Sequence, residues 1–411
     1  MLMSNPYDDV STNNDDSCFC CCHSKGVSIY DSYPIQMRLN LTFNDAGVGK
    51  CVLLNRTNYT AIVRNNSRSS NTSTSSYGSA DGCRKKNRNR GNDKIDPYSP
   101  DLLNQVFIWD DLLKKSIFKL TFLYPVDKVF LTRLYLVILS HKEIQIFTFT
   151  NPPRRLFDSH ILKTDNSHTT ENIDFRLLKS IGLLAYESVN KSGQVYISRL
   201  DYDSMICNSS SSGISSSSKD SSDYIPTNII KAHKNPIQLI KLSPHGKYVA
   251  TCSTRGTIVR VFSTINGLLI NEYRRGLDST TIYNMKFSQD DRFLCVISSK
   301  QTLHVFQIED GVGGGGNNKD IKHNHFKRSV CSIKLFNPLI RDSKESFRSN
   351  DMCEIIWNEY GEHENGKRRD KVKYGIILVW YKYRIWIRYI ITYNEISTKQ
   401  FEIVKESWRQ L

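Results

Sequence analysis

The feature that most constrains this chain is a repeat. The stretch from Ser243 to Phe262 returns from Ser288 to Phe306, 45 residues on at its start and 44 at its end. Each copy is a tight turn, an apolar run, a small polar break and an alternating strand. The apolar runs are Tyr248-Val249-Ala250 and Phe293-Leu294-Cys295-Val296-Ile297, and the strands end in Val261-Phe262 and Val305-Phe306. That period fits one four-stranded blade of a WD-repeat propeller. A single blade cannot bury its own faces, so the units must stack into a ring. Looser echoes occur at Asp15 to Phe19 before Val27 to Asp31, at Val106 to Asp110, and at Leu134 to Leu139 running on to Ile144 and Phe147. The expectation is one closed all-β, WD-repeat-like propeller over residues 1–411.

Three polar segments interrupt this pattern: about 65–92, 204–223 and 309–328. Rich in Ser, Asn, Gly and basic residues, they bury little apolar surface and read as mobile loop insertions between strands. Arg341 to Asn350 reads as a connection between late blades. Val129 to Phe147 and Tyr374 to Tyr393 are the longest apolar stretches. Charges at Arg133, Lys142, Lys382, Arg384 and Arg388 break both, so they read as strands rather than membrane spans.

The formal net charge is +15, from 56 basic against 41 acidic residues. Such a balance favours phosphate-bearing partners, nucleic acid or an anionic membrane. The runs Arg84 to Arg90 and Lys367 to Arg369 taken singly are ordinary solvated surface. No apolar leader opens the chain, and its eleven cysteines read as reduced, cytosolic thiols. Cys18, Cys20, Cys21, Cys22 and His23 invite a zinc reading but lack a second ligand pair at the usual spacing. They lie where an apolar strand belongs, so no metal and no cofactor is expected.

The second informative feature is Arg274-Arg275, between the two repeat copies. Neighbouring side chains on extended backbone point to opposite sides. The pair can therefore serve two pockets, and guanidinium is the group best shaped to grip phosphate.

With its flanks, Tyr273-Arg274-Arg275-Gly276 resembles the Phe/Leu-Arg-Arg-Gly hallmark of the PROPPIN family, seven-bladed phosphoinositide-binding propellers. Lys231 to Ile237 is similar to that family's entry into blade five, and Thr257 to Phe262 to its third strand there. The likeness is strongest from Ile230 to Ile308, and the fungal swollen-vacuole-homologue branch matches best. The resemblance implies seven blades and two basic pockets between blades five and six. The first would comprise His233, Ser253, Thr257, Arg260 and Arg274; the second Arg275, Thr281, Ser298, Lys300 and Thr302. It also implies a membrane-contact loop carrying Val312, Lys319, Ile321, Lys322, Phe326, Lys327 and Arg328. The implied ligands are phosphatidylinositol 3-phosphate and phosphatidylinositol 3,5-bisphosphate. The implied setting is autophagy, including microautophagic forms, or vacuolar and endosomal trafficking, with protein partners from those pathways. Tyr273 departs from the apolar consensus, and its hydroxyl needs a partner.

Other functions fit less well. A protein-binding WD-repeat scaffold has no need of the arginine pair. Nucleic-acid binding lacks a helix-turn-helix, an RNP aromatic motif or a zinc module. Gly47-Val48-Gly49-Lys50 only faintly resembles a phosphate loop, with Asn44 at the first glycine position and Cys51 in place of Ser/Thr. An enzyme is not expected.

Overall fold

Alternation of apolar and polar residues dictates short antiparallel strands, and these assemble into seven sheets. We describe a computed structural model that covers residues 7–43, 47–65, 102–140, 143–156, 172–187, 191–204, 228–309, 327–339, 347–348, 351–364, 367–394 and 400–411. Six sheets have four strands and one has three, and sequence neighbours pair within each. The first strands of blades one to seven are Asp9–Thr12, Gly47–Leu53, Val126–Leu131, Ile173–Leu178, Ile237–Leu242, Ile282–Phe287 and Cys353–Glu364. The three-stranded third blade gains an isolated bridge, Phe147 to Arg155, at its outer edge. The chain is thus the expected seven-bladed all-β propeller.

Because side chains alternate, each blade offers one apolar face to each neighbour. Among the described residues these faces meet in seven buried clusters, one per adjacent pair. Tyr273, Met285, Phe287 and Phe306 join blades five and six. Ile230, Ile240, Val249 and Phe262 join blades four and five. The ring closes where Val10, Phe19 and Cys21 of blade one meet Ile377, Val379 and Trp386 of blade seven. Among the described residues no strand is exchanged at this closure; the strands of blade one and of blade seven are each consecutive in the chain.

Polar groups reinforce the closure. Lys286 of blade six donates to Thr12 Oγ1, Asp16 Oδ1 and the Ile355 carbonyl. Asp16, fully buried, also accepts from the Trp357 amide at 3.1 Å. One ion pair therefore ties blades six, seven and one.

The cysteine strand Cys18–His23 is the second of blade one. Cys21 faces the blade-seven core, whereas Cys18, Cys20 and Cys22 face blade two. Alternation keeps the four thiols from converging on one point, and burial pushes Cys22 up to about 12. The strand Gly47–Leu53 contains the glycine-lysine segment, so that segment forms no phosphate loop.

Candidate functional site

Blade five supplies the frame. Its two outer strands, Ile258–Ser263 and Leu269–Arg274, pair with Arg260 opposite Glu272 and Ile258 opposite Arg274. Cross-strand partners share a face. Val259 and Tyr273 sit on the face buried against blade six. Arg260, Glu272 and Arg274 therefore lie on the other face, toward blade four.

Arg260 reaches that boundary. It donates to the Ala232 carbonyl at 2.6 Å and approaches His233 Nδ1 at 3.4 Å, with its Nε on Glu272. His233 Nε2 lies 3.0 Å from Thr251 Oγ1. Burial first, then the Arg260 charge, pushes His233 down to about 4. Ser253 is nearly buried in the adjoining turn and Arg274 is exposed at the strand end. His233, Ser253, Arg260 and Arg274 thus lie on the side of blade five that faces blade four, while Thr257 is placed only by its carbonyl, which accepts from the Arg275 amide. Both pockets were expected between blades five and six; the pleat assigns only the second there.

Arg275 turns the other way and is 8% exposed. Its amide donates to the Thr257 carbonyl at 3.0 Å and its Nε to the Gly256 carbonyl at 3.1 Å. Its Nη2 caps the Asp278 carbonyl. Lys300 pairs with the Asp278 carboxylate, which holds that acid below the usual carboxylate range. The Ser299 amide binds the Thr281 carbonyl at 2.8 Å, and Ser298 Oγ is buried without a protein partner. Thr302 opens the third strand of blade six, Thr302–Gln307. Arg275, Thr281, Ser298, Lys300 and Thr302 therefore surround one junction. Each junction also holds an internal acid, Glu272 or Asp278, paired with one of its cations.

Two further residues belong to the second junction. His304 shares a strand face with Thr302 and is pushed down to about 4 by burial, then by the Arg275 charge. It occupies in blade six the position of Arg260 in blade five, so the repeat offset could have revealed it. Lys334 lies opposite Thr302 and donates to the Lys300 carbonyl at 2.5 Å. Only the strand pairing brings it there.

Tyr273 finds the partner its hydroxyl needs, the Gln307 carbonyl at 2.6 Å, and stacks on Phe306. Tyr273→Phe should therefore lower stability by about 1 kcal/mol, the worth of one net hydrogen bond, without altering either pocket. Urea denaturation would measure it; an unchanged midpoint would contradict the assignment.

Of the expected membrane-contact loop, Val312, Lys319, Ile321, Lys322 and Phe326 lie outside the described residues. Lys327 and Arg328 lie within them. Lys327 bridges in parallel to Tyr273 and its Nζ meets Glu309 at 2.5 Å. The returning chain thus lies along the outer edge of blade five, beside Arg274.

Two clusters of cations and hydroxyls therefore flank blade five of a seven-bladed propeller. The PROPPIN family model matches residues 161–321, which include both junctions apart from Lys334. SVP1-like protein 2 of Candida glabrata is 32% identical, covering 98% of this chain and 96% of that protein. SVP1-like protein 2 of Saccharomyces cerevisiae is 30% identical, covering 98% and 95%. Kluyveromyces lactis Hsv2, solved with its complete loop 6CD, superposes with a TM-score of 0.70 at 25% identity, covering 99% of each chain. The chain belongs to the PROPPIN family of phosphoinositide-binding propellers, in its fungal SVP1-like branch.

Proposed function

We propose that this protein is a non-enzymatic, monomeric adaptor that docks peripherally on membranes carrying phosphatidylinositol 3-phosphate or phosphatidylinositol 3,5-bisphosphate. One headgroup occupies each junction. In this reading Arg260 and Arg274 neutralise the first phosphate, with Ser253 and Thr257 adding directed hydrogen bonds. Arg275 and Lys300 neutralise the second, with Thr281, Ser298 and Thr302 as hydroxyl partners. Two individually weak contacts on one rigid ring act together, since the second is intramolecular. The observation that carries this reading is that Arg274 and Arg275, adjacent in sequence, serve opposite faces of blade five.

The setting proposed is autophagy or vacuolar and endosomal trafficking, at vacuolar, endosomal or pre-autophagosomal membranes. A solved neighbour of 18% identity is a complex of KlAtg21 with the coiled coil of AgAtg16. Protein partners of that pathway are proposed here for the remaining rim. Liposome flotation tests the lipid claim. Wild type should float with phosphatidylinositol 3-phosphate liposomes and not with matched-charge liposomes lacking it, and the Arg274→Thr/Arg275→Thr double variant should float with neither. Equal flotation of both proteins would contradict the site.

The two histidines add a pH signature. Their folded values, about 4, lie below the ordinary 6.5. The unfolded chain thus binds protons more readily, and stability present above 6.5 is lost as pH falls toward 4. A bound phosphate beside His233 and His304 would raise both values and shrink that loss. Thermal melts between about pH 7 and pH 5 should show a falling midpoint that soluble headgroup flattens. A pH-independent midpoint without headgroup would contradict it.

A further inference from the structure

The turn that joins blade five to blade six carries a leucine where turn chemistry calls for a polar residue. Leu277 is 77% exposed. Single exposed apolar side chains are common and mean little by themselves. What sets this one apart is how its backbone is held. Upstream, Arg275 is fixed to the Thr257 and Gly256 carbonyls, both in the turn beside Ser253. Downstream, the Arg275 guanidinium and Lys300 both grip Asp278. Ser279 Oγ donates to the Arg255 carbonyl at 3.1 Å and the Thr280 amide to the same carbonyl at 3.2 Å. The Thr281 carbonyl is bound by the Ser299 amide, in the turn beside Ser298.

The segment from Gly276 to Ser279 is therefore strapped at both ends, between the turn of the first junction and the turn of the second. Its apex stands clear of the protein: a Cβ placed on Gly276 meets no atom within 4 Å. Gly276 is thus not demanded by local crowding. Arg255, Arg274 and Lys300 are exposed near the apex, Lys300 paired with the Asp278 carboxylate beside it. An apolar tip ringed by cations matches the charge and polarity sequence of an anionic bilayer, headgroups outside and acyl chains within.

We infer that Leu277 is a membrane anchor, buried in the acyl boundary when both junctions hold lipid headgroups. This rests on the phosphoinositide reading above and adds to it a contact with acyl chains. Because the tip is already held by backbone bonds, insertion costs little ordering entropy. Arg255 and Lys300 set its depth by staying with the phosphates.

The test compares full-length wild type, Leu277→Ser and Leu277→Trp. Leu277→Ser should bind water-soluble short-chain phosphatidylinositol 3-phosphate as wild type does. It should bind phosphatidylcholine vesicles doped with phosphatidylinositol 3-phosphate about tenfold more weakly, the effect of withdrawing one leucine from an apolar phase. Leu277→Trp should bind the vesicles and show added fluorescence, over the wild-type tryptophans, that brominated lipid quenches. Undiminished vesicle binding by Leu277→Ser, or an unquenched added signal while wild type binds vesicles, overturns the inference alone. If wild type binds neither the soluble lipid nor the vesicles, the phosphoinositide reading fails and this anchor fails with it.

Discussion

Arg275→Thr is expected to cost the protein both a headgroup pocket and about 1–3 kcal/mol of stability, whereas Arg274→Thr costs binding and at most about 0.5 kcal/mol of stability. The two arginines share a motif but not a situation. Arg275 is buried and holds the Gly256 carbonyl of a blade-five turn and the Asp278 carbonyl of the inter-blade turn, so its removal leaves both acceptors without that donor. Arg274 is exposed at the end of its strand, and its backbone amide, which bonds to the Lys327 carbonyl, survives substitution. Surface changes of that kind stay within about 0.5 kcal/mol. Denaturation midpoints and vesicle binding, measured on the same two proteins, separate the roles. Equal stability of the two variants would mean that the guanidinium of Arg275 does not organise the turn. The practical consequence is that loss of function in an Arg275 variant needs a folding control, and loss in an Arg274 variant does not.

The second large effect is at ring closure. Asp16→Asn should destabilise the propeller by about 3 kcal/mol, because it strands the Lys286 ammonium inside the ring. Asn keeps the left-handed backbone that Asp16 adopts, at φ 59°, so the change isolates charge from conformation. The figure sits at the low end for a broken buried pair because Glu354 stays 3.6 Å from Lys286. Pairing it with Lys286→Met should recover much of the loss, since the stranded charge is then gone. If Asp16→Asn melts like wild type, the closure rests on the apolar contacts of blades one and seven, and the ion pair contributes nothing.

Much of this architecture could be read from the chain. Two repeat copies one blade apart fixed the unit, and alternation in Ile258 to Ser263 and Thr302 to Gln307 fixed which of their positions are core. The inserted segments at about 65–92, 204–223 and 309–328 lie largely outside the described residues. What could not be read was how blades face one another. Strand pleat, visible only once Arg260 was seen opposite Glu272, moved the first junction to the blade-four side. His304 was overlooked although it stands in register with Arg260 in the next blade, because a histidine in an alternating strand has an ordinary core explanation. Lys334 and Asp278 reach the second junction through strand pairing and a turn, neither of which leaves a local pattern in sequence. The closure pair of Asp16 and Lys286 joins residues 270 positions apart, a separation at which composition and periodicity carry no information.

Isothermal titration of the soluble phosphatidylinositol 3-phosphate headgroup gives the most direct test of two junctions on one blade. Wild type should take up two per chain. Arg274→Thr, which spares the fold, should take up one, and Thr302→Ala/His304→Ala should also take up one, with the remaining site unchanged in affinity. A wild-type stoichiometry of one, or a stoichiometry that neither variant reduces, would contradict the account.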